Sequence, residues 1–108
     1  MEHLRAGARQ LLSAGLASST KAVYKKALEV FDSFRAQYDL CRTWPVSLSQ
    51  LEAYISYLFH RGYAYSTTAT YVSAIRFQHK LRGLPDSSSC FSVIKILEGY
   101  RRSKPSHD

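Results

Sequence analysis

Apolar residues in this chain recur every three or four positions in one segment after another, and nowhere do they alternate. The longest stripe is Val23, Tyr24, Ala27, Leu28, Phe31, Phe34 and Tyr38, a spacing that places them on one side of an α-helix. Leu4, Ala8, Leu11 and Leu12 make a shorter run that Gly15 is placed to stop. Trp44-Pro45 breaks the pattern and, with Thr43 and Val46, reads as a connector. Leu51, Tyr54, Ile55, Leu58 and Phe59 follow, up to Gly62. A fourth run carries Tyr71, Val72, Ile75, His79 and Leu81 and stops at Gly83, before Pro85. After the polar loop Asp86-Ser87-Ser88-Ser89, which is expected to end in a cap, a last run turns Val93, Ile94, Leu97 and Tyr100 inward. No Asn-Gly or Asp-Gly hairpin signal appears. The expected fold is all-α, a compact bundle of four to five helices. Residues 1–104 form the domain, and 105–108 a disordered tail or the start of a linker.

Serines mark the helix beginnings. Ser18 or Ser19 is expected to cap the second helix, Ser47 or Ser49 the third, and Ser66 to open the fourth. Two of these beginnings are built alike. Ser18-Ser19-Thr20 is followed by Lys21, Lys25 and Lys26, and Ser66-Thr67-Thr68 by Arg76, Lys80 and Arg82. A helix start offers free backbone N–H groups, and hydroxyls add donors, which together suit a phosphate oxygen. On a helical wheel Ser66, Ala69, Thr70, Ser73, Arg76 and Lys80 share one side of the fourth helix. The small residues permit close approach to a groove, while Arg76 and Lys80 can reach phosphates. The second helix offers Ser19, Thr20, Lys21, Val23 and Lys26 near its beginning. Ordinary capping and a solvated polar coat fit the same spacings, so both readings stay open on spacing alone.

Charge favours the first reading. Fifteen Lys and Arg against eight Asp and Glu give a net charge of +7, an excess that draws polyanions through long-range attraction. At 108 residues with 45% apolar content, the chain can bury one ordinary core and is no disordered tail. Cys41 and Cys90 belong to no CxxC or Cys/His cluster and read as reduced, partly buried thiols of an intracellular protein. No apolar run approaches the ~18 residues of a membrane span, and Arg5 and Arg9 interrupt any signal-peptide core. A membrane partner is not expected.

Catalytic patterns are missing from the sequence. His3, His60, His79 and His107 form no i,i+4 pair, so no metal site is expected. GxSxG, P-loop and HExxH motifs do not occur. Asp32, Asp39, Glu52 and Glu98 are scattered and read as surface charges. Tyr24, Phe31, Phe34, Tyr54 and Tyr71 sit on apolar stripes and read as core rather than as base-stacking platforms. Tyr63 and Tyr65 fall on no stripe. No cofactor and no small-molecule substrate are implied.

The order Ser19-Thr20, Tyr24, Phe31, Phe34, then Pro45-Val46-Ser47, Tyr57-Leu58, Ser66-Thr67, Tyr71-Val72-Ser73-Ala74-Ile75 and His79 resembles the core-binding domain of tyrosine recombinases. That module is the SAM-like N-terminal domain of phage-type integrases. The closing Leu97-Glu98-Gly99-Tyr100-Arg101-Arg102 is most similar to the versions in DIRS-type and Ngaro-type retrotransposons and related eukaryotic sequences. The resemblance spans about Leu11 to Lys104. It implies a helical bundle forming one half of a C-shaped clamp on double-stranded DNA, in DNA integration or site-specific recombination. By position it points to Ser19, Thr20, Lys21, Val23 and Lys26, with Ser66, Thr67, Thr70, Ser73 and Lys80; the wheel adds Arg76.

Family catalysis uses an Arg/Lys/His/Arg set and a Tyr nucleophile on a second, larger domain. The chain ends where that domain would begin, and its eight Tyr match none of the nucleophile's surroundings. The module is therefore expected to bind and not to cut. A C-terminal catalytic domain and self-association are implied as further partners, with an intracellular location that is nuclear if the source is eukaryotic. The alternative expectation is a helical protein-interaction or oligomerisation module without DNA binding, using an exposed Tyr63-Ala64-Tyr65 segment or the first helix.

Overall fold

The computed structural model describes residues 1–103. Five helices occur among them: α1 Glu2–Ala14, α2 Ser18–Gln37, α3 Leu48–His60, α4 Tyr65–Arg82 and α5 Phe91–Ser103. The described residues contain no strand, so the fold is all-α, as the periodicity dictates. Two glycines terminate helices by adopting positive φ, Gly62 at +86° and Gly83 at +67°. Past Gly83 the Leu84 N–H turns back onto the His79 carbonyl at 2.9 Å, which closes the end of α4 in a left-handed cap.

Aromatic rings hold the centre together. Phe31 of α2 lies edge-on to Tyr54 of α3 at 4.8 Å between centroids, and Phe34 meets Tyr57 at 4.9 Å. Leu51, Ile55 and Leu58 continue the α3 face. Tyr71, Val72, Ala74 and Ile75 arrive from α4, and Val93 and Tyr100 from α5. Such edge and tilted contacts add to the burial of large apolar area. Helix α1 contributes no buried residue; it lies against α4, where Ala6, Arg9 and Gln10 face Gln78 and Leu81 across a shallow hollow.

Three of the buried polar side chains bridge separate parts of the chain. Arg35 is 1% exposed. Its Nη1 donates to the Thr43 carbonyl at 3.1 Å and to Gln50 Oε1 at 3.3 Å, and its guanidinium lies 4.4 Å over the Phe31 ring. Burial draws its pKa down, and Asp32, 3.5 Å away, opposes that shift. His79 Nδ1 lies 2.8 Å from the Ile75 carbonyl, which can only accept, so Nε2 is left to accept the Val46 N–H at 3.0 Å. Thr68 donates to the Tyr100 hydroxyl at 2.9 Å, and that hydroxyl donates to the Tyr63 carbonyl. Together they tie the α2–α3 connector and the α3–α4 turn to the core.

Several sequence expectations need correction. Ala17 and Ala64, not Ser18, Ser19 or Ser66, occupy the N-cap positions of α2 and α4; the serines already belong to the first helical turn. Cys90, not a serine, immediately precedes α5, and its carbonyl accepts the Ile94 N–H. Ile94 is exposed rather than inward, as are Val23 and Tyr38 at the margins of the α2 stripe. Both cysteines are exposed and free rather than partly buried. The Tyr63-Ala64-Tyr65 segment is half-buried and held by Tyr100, which weakens it as a contact surface. Ser47 caps α3 as expected, accepting the Gln50 N–H at 3.2 Å. The expected tail at 105–108, with His107, lies outside the described residues.

The buried tyrosines predict an alkaline limit. Burial pushes Tyr54 well above its ordinary 10.0, with Tyr71 and Tyr63 adding repulsion; burial also raises Tyr71, and raises Tyr100 against the opposing Thr68 bond. The unfolded chain ionises first. The contribution is therefore complete below about pH 10 and is lost as pH rises beyond it. Urea unfolding is expected to give constant stability from pH 7 to 9 and a decline above 10. The decline should be shallower in Tyr54→Phe, which forgoes only a 3.4 Å bond to the Ala27 carbonyl.

Candidate nucleic-acid interface

Helix α2 lies along α4, with Tyr24 against Phe77 at 5.7 Å between ring centroids. Ser19, Thr20 and Val23 line a hollow with Thr70. A turn further on, Ala22, Val23 and Lys26 line a second hollow of about 420 Å³ with Ser66, Thr67, Thr70 and Tyr71. Low numbers in α2 thus meet high numbers in α4, and the two helices run in opposite senses. Val23 and Thr70 border both hollows, so the two are one continuous surface groove.

Seven of the eleven residues singled out from the sequence line this groove: Ser19, Thr20, Val23, Lys26, Ser66, Thr67 and Thr70. Lys21 and Lys80 are exposed outside it, and Ser73 is half-buried on the next turn of α4. Arg76 is engaged within the domain: its Nε donates to Ser88 Oγ at 2.9 Å and lies 3.9 Å from Asp86 Oδ2. Asp86 in turn accepts from the Ser88 amide and hydroxyl. Thr68, counted among the hydroxyls of the α4 beginning, is buried and bonded to Tyr100.

Two features of the groove escaped the sequence. The first is its pair of alanine caps. Ala17 and Ala64 both hold extended backbone, with φ/ψ of −62°/150° and −67°/152°, and neither helix has a side-chain cap bond. An alanine offers the first-turn amides no acceptor, whereas Ser47 supplies one to α3. Because the helices are antiparallel, their positive ends point in opposite directions, a disposition suited to two separated phosphates rather than one ion. The second is the floor, formed by Tyr71 at 7% exposure, whose pKa burial raises. No carboxylate is among the residues lining the groove; Lys26 lines it, and Lys21 and Lys25 are exposed on α2 outside it.

Other surfaces have a different character. Phe34, Tyr38, Leu40, Ala53 and Tyr57 line an apolar hollow between α2 and α3, edged by His60 and Arg61. Among the described residues no group of three or more His, Cys, Asp or Glu could hold a metal ion. None of the described helices is long and apolar enough to cross a membrane.

Residues 9–81 match the family model described as phage integrase, N-terminal SAM-like domain. The matched stretch runs from α1 through nearly all of α4 and so contains the whole groove. No curated protein matches the chain.

The empty caps lead to a stability test. Aspartate at an N-cap accepts first-turn N–H bonds and opposes the helix dipole. Ala17→Asp and Ala64→Asp are each expected to raise the free energy of unfolding in urea by about 1 kcal/mol. No gain in either would mean that those amides are already satisfied.

Proposed function

The chain belongs to the phage integrase N-terminal SAM-like domain family, and from that premise we propose that it is a duplex-DNA-binding module, one half of a clamp, in a tyrosine recombinase-like protein. The observation that carries the reading is the α2–α4 groove, which gathers uncapped helix starts, hydroxyls and Lys26 without a carboxylate. Main-chain amides and hydroxyls at the two starts fix register on the phosphate backbone, and the exposed lysines supply attraction independent of sequence. Lys21 and Lys80 extend the contact beyond the groove, and Ser73 lets the backbone of α4 come close. Arg76 supports the surface from within through Ser88 and Asp86.

The domain extends in this proposal through residue 104 and joins a catalytic domain beyond it, which would supply the cutting chemistry. DNA integration or site-specific recombination is the proposed setting, with the retrotransposon versions suggested by Leu97 to Arg102, outside the matched residues. A nuclear site of action follows if the source is eukaryotic.

A protein-interaction reading rests on one specific observation. Leu4, Leu11 and Leu12 are each more than half exposed along α1, leaving an apolar stripe for another chain. Self-association through the exposed leucines of α1 is compatible with DNA binding in the α2–α4 groove. As an alternative to DNA binding, it requires the domain to ignore duplex at low salt.

Fluorescence anisotropy with a labelled duplex separates these readings. Affinity is expected to fall steeply with salt, with log K against log salt steepening by about 0.9 for each phosphate neutralised. Lys26→Glu should lower affinity at least tenfold, whereas Lys95→Glu, with the same charge change on α5, should lower it far less. Ala17→Asp and Ala64→Asp should weaken binding while stabilising the fold. Equal losses from Lys26→Glu and Lys95→Glu would show that only net charge matters, and the groove would lose its role.

A further inference from the structure

Val23 is an exposed apolar residue within this basic groove. It is 42% exposed, yet it borders both hollows on the side of α2 that carries Lys26. Thr70, facing it from α4, donates its hydroxyl proton to the Ser66 carbonyl at 2.9 Å. With its proton used, the Thr70 hydroxyl can only accept, and Thr70 also carries a methyl group. Ala22 and Thr67 border the same hollow. The centre of an otherwise polar, basic groove is thus a patch of small methyl-bearing side chains.

Resting on the DNA-binding reading above, we infer that Val23 and Thr70 read the 5-methyl group of thymine in the major groove, giving this half-clamp a preference for A·T-containing sites. Of the groups that base pairs expose there, only the thymine methyl is apolar, and short apolar side chains are its natural partners. Hydrogen-bonded reading of purine edges falls to Arg, Lys, Asn or Gln, and of these the groove lining holds Lys26 alone. Lys26, at the edge of the patch, serves a phosphate. Seating one methyl against such a patch corresponds to about a fourfold gain in affinity. The preference is therefore modest and additive over the thymines contacted.

The test uses two duplexes of identical alternating A·T sequence, one with thymine and one with uracil, which differ only by the 5-methyl groups. Each competes against a labelled duplex for the wild-type domain and for Val23→Ala, whose folding is checked by circular dichroism. The thymine duplex is expected to compete at least fourfold better with the wild type, and the two duplexes to compete almost equally with Val23→Ala. Equal competition with the wild type overturns methyl reading and leaves duplex binding intact. An undiminished preference in Val23→Ala overturns the assignment to this patch. Failure of both duplexes to bind overturns the DNA reading itself.

Discussion

The burial of Ala27, Phe31 and Phe34 sets the rotation of α2 about its own axis, and the outer surface of the domain follows from it. Phe31 is completely buried and lies edge-on to Tyr54 and Trp44, so the helix cannot turn without opening the core. Deleting a side chain of that kind costs ~3–5 kcal/mol, a large part of the stability of a small domain. With that stripe fixed inward, Ser19, Thr20, Val23 and Lys26 have to emerge beside α4. Tyr24 against Phe77 then holds the two helices together at the level of the groove. The proposed DNA-binding surface is the reverse side of the core packing.

Polar anchors hold the rest of the bundle to this pair. Arg35 satisfies carbonyls of the connector between α2 and α3, and His79 of α4 accepts the Val46 amide from the same connector. Trp44 lies between them, with His79 at 4.9 Å on one side and Arg82 at 4.9 Å on another. The α3–α4 turn is fixed through Tyr100, which links Thr68 and Tyr63. Each link places the start of α4, and hence Ser66, Thr67 and Thr70, relative to α2. Loops that would otherwise carry unsatisfied amides and carbonyls are closed by side chains from α2, α4 and α5.

Much of this was legible in the sequence because helical periodicity is a strong signal. The apolar stripes of α2, α3 and α4, with Gly62 and Gly83 as terminators, gave the elements and most of the core. The two hydroxyl-rich beginnings were legible as a pair, and they do line one groove. Their caps were not. Ser-Ser-Thr invites assignment as a cap, but the helices start one residue earlier in packing terms, with Ala17 and Ala64 in extended backbone. Burial of Thr68 against Tyr100 holds α4 to that start. Arg35 was illegible because a charged residue reads as surface until the carbonyls and rings around it are known. The internal contact of Arg76 was illegible for a related reason: its partner Ser88 comes from a loop that no spacing rule brings to α4. The leucines of α1 have helical spacing but no covering surface, and spacing alone cannot distinguish an inward stripe from an unpartnered one.

The most direct test of the account is a two-dimensional NMR titration of the 15N-labelled domain with a short duplex at low salt. Amide shifts are predicted to concentrate in residues 18–26 and 65–73, the first turns of α2 and α4, while the Phe34–Tyr57 hollow and α5 stay unchanged. Shifts confined to α1 or α5, or none with saturating duplex, would contradict the claim that these two helix beginnings form the surface that holds DNA.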